Sequence, residues 1–262
     1  MISVIIPCRN RLKYLKNCID SIIKQTFIDW EVIVVDYGSD TRCTEEFIKS
    51  LNSYRIRCIY VDEKGRWNLS RARNIGLRHA KGEFIISLDA DMIIADNVLE
   101  RVWADFKERK QPVLYQIHRR DILLDGSIKL YEPQKEFGGV FLGAFQACSK
   151  ASWLQVRGFD ERLDMYGWED GDLAVRMRRI GVEQYWMPLD VKIYHQYHPS
   201  SPGNETYINM IRSKLNRSHL ANDENWGSAE KKGDAPRRFD KFLIWAVIKP
   251  IKAIKRWMRT FK

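Results

Sequence analysis

Phe84-Ile85-Ile86-Ser87-Leu88 runs without a break into Asp89-Ala90-Asp91. The first five residues form a short apolar run with β-branched members, the pattern of a strand buried on both faces. The next three put two carboxylates one residue apart where that strand ends. The same grammar recurs upstream. Lys81-Gly82 closes a helix that Ser70 caps and that runs to Ala80, after an apolar strand at 56–61. A helix at 45–51 precedes that strand. Before it, the strand 30–35 is closed by Asp36-Tyr37-Gly38-Ser39-Asp40, which is loop chemistry. Leu12, Leu15, Ile19, Ile22 and Ile23 fall at helical spacing, behind a first strand at 2–6 that Pro7 ends. The β-α alternation predicts a doubly wound, mostly parallel sheet with helices on both faces. Such sheets bind ligands beyond the carboxyl ends of their strands. Those ends carry Pro7-Cys8-Arg9-Asn10, residues 36–40, Asp62, and Asp89-Ala90-Asp91.

The second half is less regular. A helix at 97–110 leads to two strands flanking Asp125-Gly126, a hairpin signal. A strand opens at Gly138-Gly139 and runs through Cys148. A helix begins near Glu169 and ends at Gly181, two short extended stretches reach His195, and a helix ends near Arg217. Residues 221–235 read as a polar linker.

Composition narrows the function. The chain has 262 residues, 45% hydrophobic and 30% charged, which suits a globular fold with a substantial core. No apolar run approaches the roughly 18 residues of a membrane span. The five cysteines form no C-x-x-C pair, so neither a zinc knuckle nor a disulfide framework is indicated. Met1 leads straight into the first strand, and no signal peptide is read there; a cytosolic chain is expected. Of the net charge of +10, residues 236–262 supply nine Lys or Arg against one Asp. The body is therefore near neutral and lacks the basic face of a nucleic-acid binder. A G-x-G-x-x-G after the first strand, a P-loop and a G-x-S-x-G elbow are all missing, which argues against dehydrogenases, P-loop NTPases and α/β-hydrolases.

Two acid clusters remain. The repulsion between Asp89 and Asp91 calls for a cation, and a divalent ion held with substrate phosphates fits it; alternatively one of them caps the following helix. Tyr166-Gly167-Trp168-Glu169-Asp170-Gly171-Asp172 joins three carboxylates to aromatics at a loop-to-helix junction. Either these acids complement a helix N-terminus, with Asp172 and Arg176 pairing on its surface, or one is a general base beside an aromatic platform for a sugar ring.

Ser3-Val4-Ile5-Ile6-Pro7, Val34-Val35-Asp36-Tyr37-Gly38-Ser39-Asp40, Ala72-Arg73-Asn74-Ile75-Gly76 with Ala80-Lys81-Gly82-Glu83, and Leu88-Asp89-Ala90-Asp91 resemble, in order and spacing, the family-2 glycosyltransferases of GT-A fold. The segments from Gly138-Gly139-Val140 through Gly158-Phe159-Asp160 to 167–172 resemble the galactosyltransferase C-terminal module. That module is shared with β-1,4-galactosyltransferases and chondroitin-polymerase-like enzymes, and His195-Gln196 with Pro202-Gly203-Asn204-Glu205-Thr206 adds to the likeness. The resemblance implies a GT-A domain over 1–220, with a nucleotide-binding half (1–95) and an acceptor and catalytic half (96–220). It also implies a UDP-sugar donor, Mn2+ or Mg2+, and an inverting transfer to a glycan or lipid-linked acceptor in cell-surface polysaccharide synthesis. By the same resemblance, Pro7, Arg9 and Asp36 line the nucleoside pocket, with Asp62 a weaker candidate, and Arg71 and Arg73 lie near the diphosphate. Asn74 supports their loop, and Gly138 and Gly139 let backbone approach the donor. Asp89 faces ribose or a metal-bound water, and Asp91 binds the metal directly. Asp170 is the base, and Glu169 and Trp168 contact sugars. Tyr37 stands where the family often has an acid. A third metal ligand is expected among the histidines past the last strand, with His195 favoured over His198. An imidazole beside a carboxylate suits Mn2+ better than Mg2+.

The competing readings are a nucleotidyltransferase, which would want a Gly-rich loop where Cys8-Arg9-Asn10-Arg11 stands, and a non-catalytic, membrane-associated sugar-binding adaptor. In the tail, Ile251, Ile254, Trp257, Met258 and Phe261 share one helical face opposite Lys252, Lys255, Arg256, Arg259 and Lys262. That is the pattern of an interfacial amphipathic helix. It predicts peripheral attachment to an anionic inner membrane face, with docking on the enzyme or on a second subunit as the alternative.

Overall fold

The computed structural model describes residues 1–131, 143–199 and 206–230. The tail at 236–262, Gly138 and Gly139, residues 200–205 and the end of the expected linker lie outside the described residues.

The first half follows the expected alternation: β1 (Ile2–Cys8), α1 (Leu12–Ile23), β2 (Trp30–Tyr37), α2 (Cys43–Ser50), β3 (Ile56–Val61), α3 (Leu69–His79) and β4 (Phe84–Leu88). The second half runs β5 (Met92–Ile94), α4 (Val98–Glu108), β6 (Val113–Gln116), β7 (Arg119–Ile122), β8 (Ile128–Leu130), β9 (Phe145–Ser149), α5 (Lys150–Gln155), α6 (Glu169–Arg178), β10 (Glu183–Trp186), β11 (Ile193–His195) and α7 (Thr206–Leu215). Seven strands form the main sheet in the order β10-β6-β9-β4-β1-β2-β3, and β5-β11-β7-β8 form a smaller one.

β1 pairs in parallel with β2 and β4, and every residue of β1 and β2 is buried. This is what unbroken apolar runs produce in a sheet covered on both faces. The β1–β4 ladder stops at Ile5↔Ser87, so Pro7 sits where the ladder opens. Below the sheet, α3 comes so close to β1 that a Cβ on Gly76 would lie 2.9 Å from Ile5 Cβ.

Two local readings are corrected. The helix that Ser70 was expected to cap is capped by Asn68, whose side chain accepts from Arg71 N, while Ser70 lies inside it and donates to Leu163 O at 3.2 Å. The sheet is mostly parallel, as expected, with β9 running antiparallel between β4 and β6. The described part of the expected linker, 221–230, packs on the body. Asn222 donates to Arg157 O and Phe159 O and accepts from Glu161 N, and Trp226 is buried in the core against α3. Polar composition suggested a linker, but those polar groups saturate the backbone of the 157–161 turn.

Candidate active site

The exits of β1, β2 and β4 and the N-terminus of α6 meet on one face. At their centre is Arg73, which α3 delivers to a position 1% exposed. Its Nη2 donates to Asp89 Oδ1 at 2.8 Å and its Nη1 to Glu169 Oε1 at 3.2 Å. The guanidinium also lies 4.8 Å over the Phe159 ring. One buried cation therefore ties the end of β4 to the start of α6. Burial opposes its charge, yet Asp89 and Glu169 raise its pKa further.

The three acids of α6 separate by environment. Glu169 is buried, holds Arg73 and accepts from Gly167 N at 2.7 Å. Asp172 and Arg176 pair at 2.7 Å as expected, but buried rather than on the surface. Ser213 of α7 donates to Asp172 as well, and Arg176 donates to Val156 O and Gly158 O. That pair is scaffold. Asp170 accepts from its neighbour Gly171 N at 2.7 Å. Burial, reinforced by the charge of Glu169, pushes its pKa up to about 7. Such a poise suits a general base. Trp168 precedes the helix at φ 74, a left-handed conformation that is costly for a bulky residue and recurs at functional turns.

A second cluster joins Asp91 to both candidate histidines. His198 Nε2 lies 3.1 Å from Asp91 Oδ2, His195 Nε2 lies 3.8 Å from Asp91 Oδ1, and the two Nε2 atoms are 3.2 Å apart. The choice between His195 and His198 thus dissolves, because Asp91, His195 and His198 offer ligand atoms all within 4.8 Å of one another. β11 delivers His195, and the main chain brings His198 back to it three residues later. Between them the buried Gln196 is pinned: its backbone N donates to Asp91 O, its side chain donates to Tyr14 O, and Asn17 donates to it at 2.6 Å. Two imidazoles and one carboxylate fit Mn2+ better than Mg2+. Burial raises Asp91, but the two histidines and Arg11 outweigh it and hold its carboxyl below the usual range. His195 is lowered, first by burial, and so favours the neutral form that binds metal.

The other expected residues divide as follows. Asp36 is fully buried. Its Oδ1 accepts from Ser39 N, and its Oδ2 has no hydrogen-bond partner. Pro7 is buried at the exit of β1, and Arg9 beside it donates to Gly65 O. Asp62 is exposed past β3 and accepts from Tyr60. Arg71 approaches Tyr37 Oη at 3.4 Å and donates to Ser228 O at 3.2 Å, so the 221–230 segment engages it. Asn74 is fully buried and bonds both Phe159 N and Phe159 O, which makes it a support for the turn rather than a ligand contact. Asp89, expected also at the metal, pairs through Oδ1 with Arg73. Asp121, which the sequence reading passed over, stands 3.3 Å from His195 Nδ1. Nothing in its local sequence marks it, since only strand register brings it there.

The mostly parallel sheet, with its sites at the strand exits, defines a GT-A fold. Among solved structures, GalNAc-T7 with UDP, GalNAc and Mn2+ is similar at a TM-score of 0.66 and 19% identity, over 82% of this chain and 48% of that one. Residues 3–155 match the profile of glycosyl transferase family 2, and the chain belongs to that family. Residues 127–199 match the profile termed N-terminal domain of galactosyltransferase. Glycosyltransferase GlyG of Streptococcus pneumoniae is 32% identical over 140 residues, covering 52% of this chain and 45% of GlyG. Chondroitin synthase of Pasteurella multocida is 24% identical over 236 residues, covering 85% of this chain and 24% of the synthase. The chain thus spans less than half the length of either relative.

The raised pKa of Asp170 carries a cost in stability. The folded protein holds this proton where the unfolded chain has released it, so stability falls as pH rises from about 4 to about 7. Asp170→Asn, which keeps the shape without the charge, is expected to melt above the wild type at pH 8, with the gap closing toward pH 4. Thermal melts of the metal-free proteins check this, and a gap independent of pH would contradict it.

Proposed function

We propose that the chain is an inverting, metal-dependent glycosyltransferase that moves a sugar from a UDP-sugar to a hydroxyl of a glycan or lipid-linked acceptor in polysaccharide biosynthesis. The observation that carries this reading is the juxtaposition of the Asp91–His195–His198 cluster with Asp170 across the Arg73 clamp. The family assignment supports transfer of a sugar, the likeness to chondroitin synthase supports a polysaccharide product, and the UDP and Mn2+ bound in the GalNAc-T7 structure support the donor and the ion.

Asp36 leaves one buried acceptor oxygen at the exit of β2, suited to a donor N–H of a nucleobase. Asp91, His195 and His198 would hold the ion. When bound, the ion supplies positive charge against the diphosphate and the negative charge that grows on it. Asp170 accepts the proton of the acceptor hydroxyl. The acceptor oxygen forms a bond to the anomeric carbon as the bond from that carbon to the diphosphate oxygen breaks, and UDP departs with the electron pair. A single displacement inverts the configuration.

Purified protein with Mn2+ and a panel of UDP-sugars tests this. Release of UDP with transfer is expected, abolished by EDTA and restored by Mn2+. Asp170→Asn is expected to lower kcat by about 10²-fold or more with little change in donor KM, and kcat/KM of the wild type is expected to rise through about pH 7. Full turnover in EDTA would remove the metal, and a variant that loses only donor affinity would make Asp170 a binding residue.

The basic tail extends the proposal to peripheral attachment on an anionic, cytoplasmic membrane face, beside a lipid-linked acceptor. Each Lys or Arg near such a surface contributes about 1 kcal/mol. Co-sedimentation with anionic liposomes is expected for the full chain and is expected to be lost in a chain ending at Ala235. Equal pelleting of the two would refute the anchor.

A further inference from the structure

We propose that Asp121 is a positioning residue that sets the protonated nitrogen of His195 and so turns its Nε2 lone pair toward the cation. This rests on the reading of Asp91, His195 and His198 as the ion's ligands. β7 and β11 pair in parallel with Asp121 opposite His195, so their side chains share one face of the small sheet. Asp121 Oδ1 is buried without a hydrogen-bond partner and lies 3.3 Å from His195 Nδ1, so its acceptor capacity is open to that nitrogen's proton. Arg119 Nε lies 2.9 Å from the same oxygen, an ion pair that places a positive charge beside it.

The single proton of a neutral His195 has two destinations. On the Nε2 side stand His198 Nε2 at 3.2 Å and Asp91 Oδ1 at 3.8 Å. On the Nδ1 side stands Asp121 alone among the described acceptors. If the proton sits on Nε2, the ring donates into the cluster and offers no lone pair there. If it sits on Nδ1, all three members of the cluster present lone pairs. His198 is already oriented this way by Pro199 O, 2.8 Å from its Nδ1. Asp121 completes the pair. Metal-bound histidines commonly carry such a carboxylate on the far nitrogen, and its loss costs about 10- to 100-fold in metal affinity.

The test uses the metal-free and the Mn2+-titrated full chain. In 15N NMR of labelled imidazoles at pH 8, with His195 assigned by His195→Gln, the wild type is expected to carry its proton on Nδ1 and Asp121→Leu on Nε2. Mn2+ titration followed by EPR, without donor, is expected to show affinity about 10- to 100-fold weaker in Asp121→Leu. Asp121→Asn, which keeps the shape and an acceptor oxygen, is expected to fall between the two. Melting temperatures identify any variant that fails to fold, and Asp121→Asn then carries the test. An unchanged proton position, or Mn2+ affinity equal to wild type in both variants, overturns the proposal while leaving the metal reading intact. Equal Mn2+ affinity in the wild type and Asp91→Ala overturns the metal reading, and this proposal with it.

Discussion

A guanidinium almost wholly out of water, flanked by two carboxylates, governs this active face. Arg73 cannot be buried without compensation, and Asp89 and Glu169 supply it from two segments 80 residues apart in sequence. Removing one partner of such a buried pair costs about 3–5 kcal/mol, because the remaining charge is stranded. The clamp therefore fixes the exit of β4 against the start of α6. It also consumes two of the site's acids, and Asp170, next to Glu169 but outside the clamp, is left undercompensated. Its pKa of about 7 follows first from burial and then from the charge of Glu169 beside it.

The same partition separates two tasks that one cluster of acids could confuse. Asp91 points to imidazoles and lowers its pKa; Asp89, two residues earlier, points to a guanidinium and is raised, first by its burial. Strand alternation gives successive side chains opposite faces, and the D-x-D spacing would return both acids to one face if the strand continued. It does not continue, because β4 ends at Leu88 and the backbone turns into β5. The pair thus diverges toward different partners. On α6, helical spacing turns Asp172 away from Asp170, and Asp172 joins Arg176 and Ser213 in holding α6, α7 and the turn after α5 together.

What the sequence reveals follows the range of the interactions involved. β1 through β4 are legible because each is a local apolar run closed by polar loop chemistry, and the strand-end acids are legible because they follow directly. The direction of β9 is not, since an antiparallel insertion depends on pairing with Phe84–Leu88 some sixty residues earlier. The polar stretch 221–230 misleads for a related reason: Asn222 looks like a linker residue until the backbone of the 157–161 turn is there to be capped, and Gly227 until the Glu161 carboxylate is there to accept its N–H. Arg71 and Arg73 are alike in sequence and differ in fate, one meeting Tyr37 and Ser228 and the other the clamp. Asp121 appears only once register places β7 beside β11, and the meeting of His195 and His198 with Asp91 only once β11 pairs with β5.

The separation of a cation cluster from a guanidinium clamp is tested most directly by anomalous diffraction at the manganese edge from crystals of the chain grown with Mn2+ and UDP. The expected result is a single strong peak bounded by Asp91, His195 and His198, with Asp89 still paired to Arg73. A peak held by Asp89, or one between Glu169 and Asp170, with none at the histidines, would contradict it.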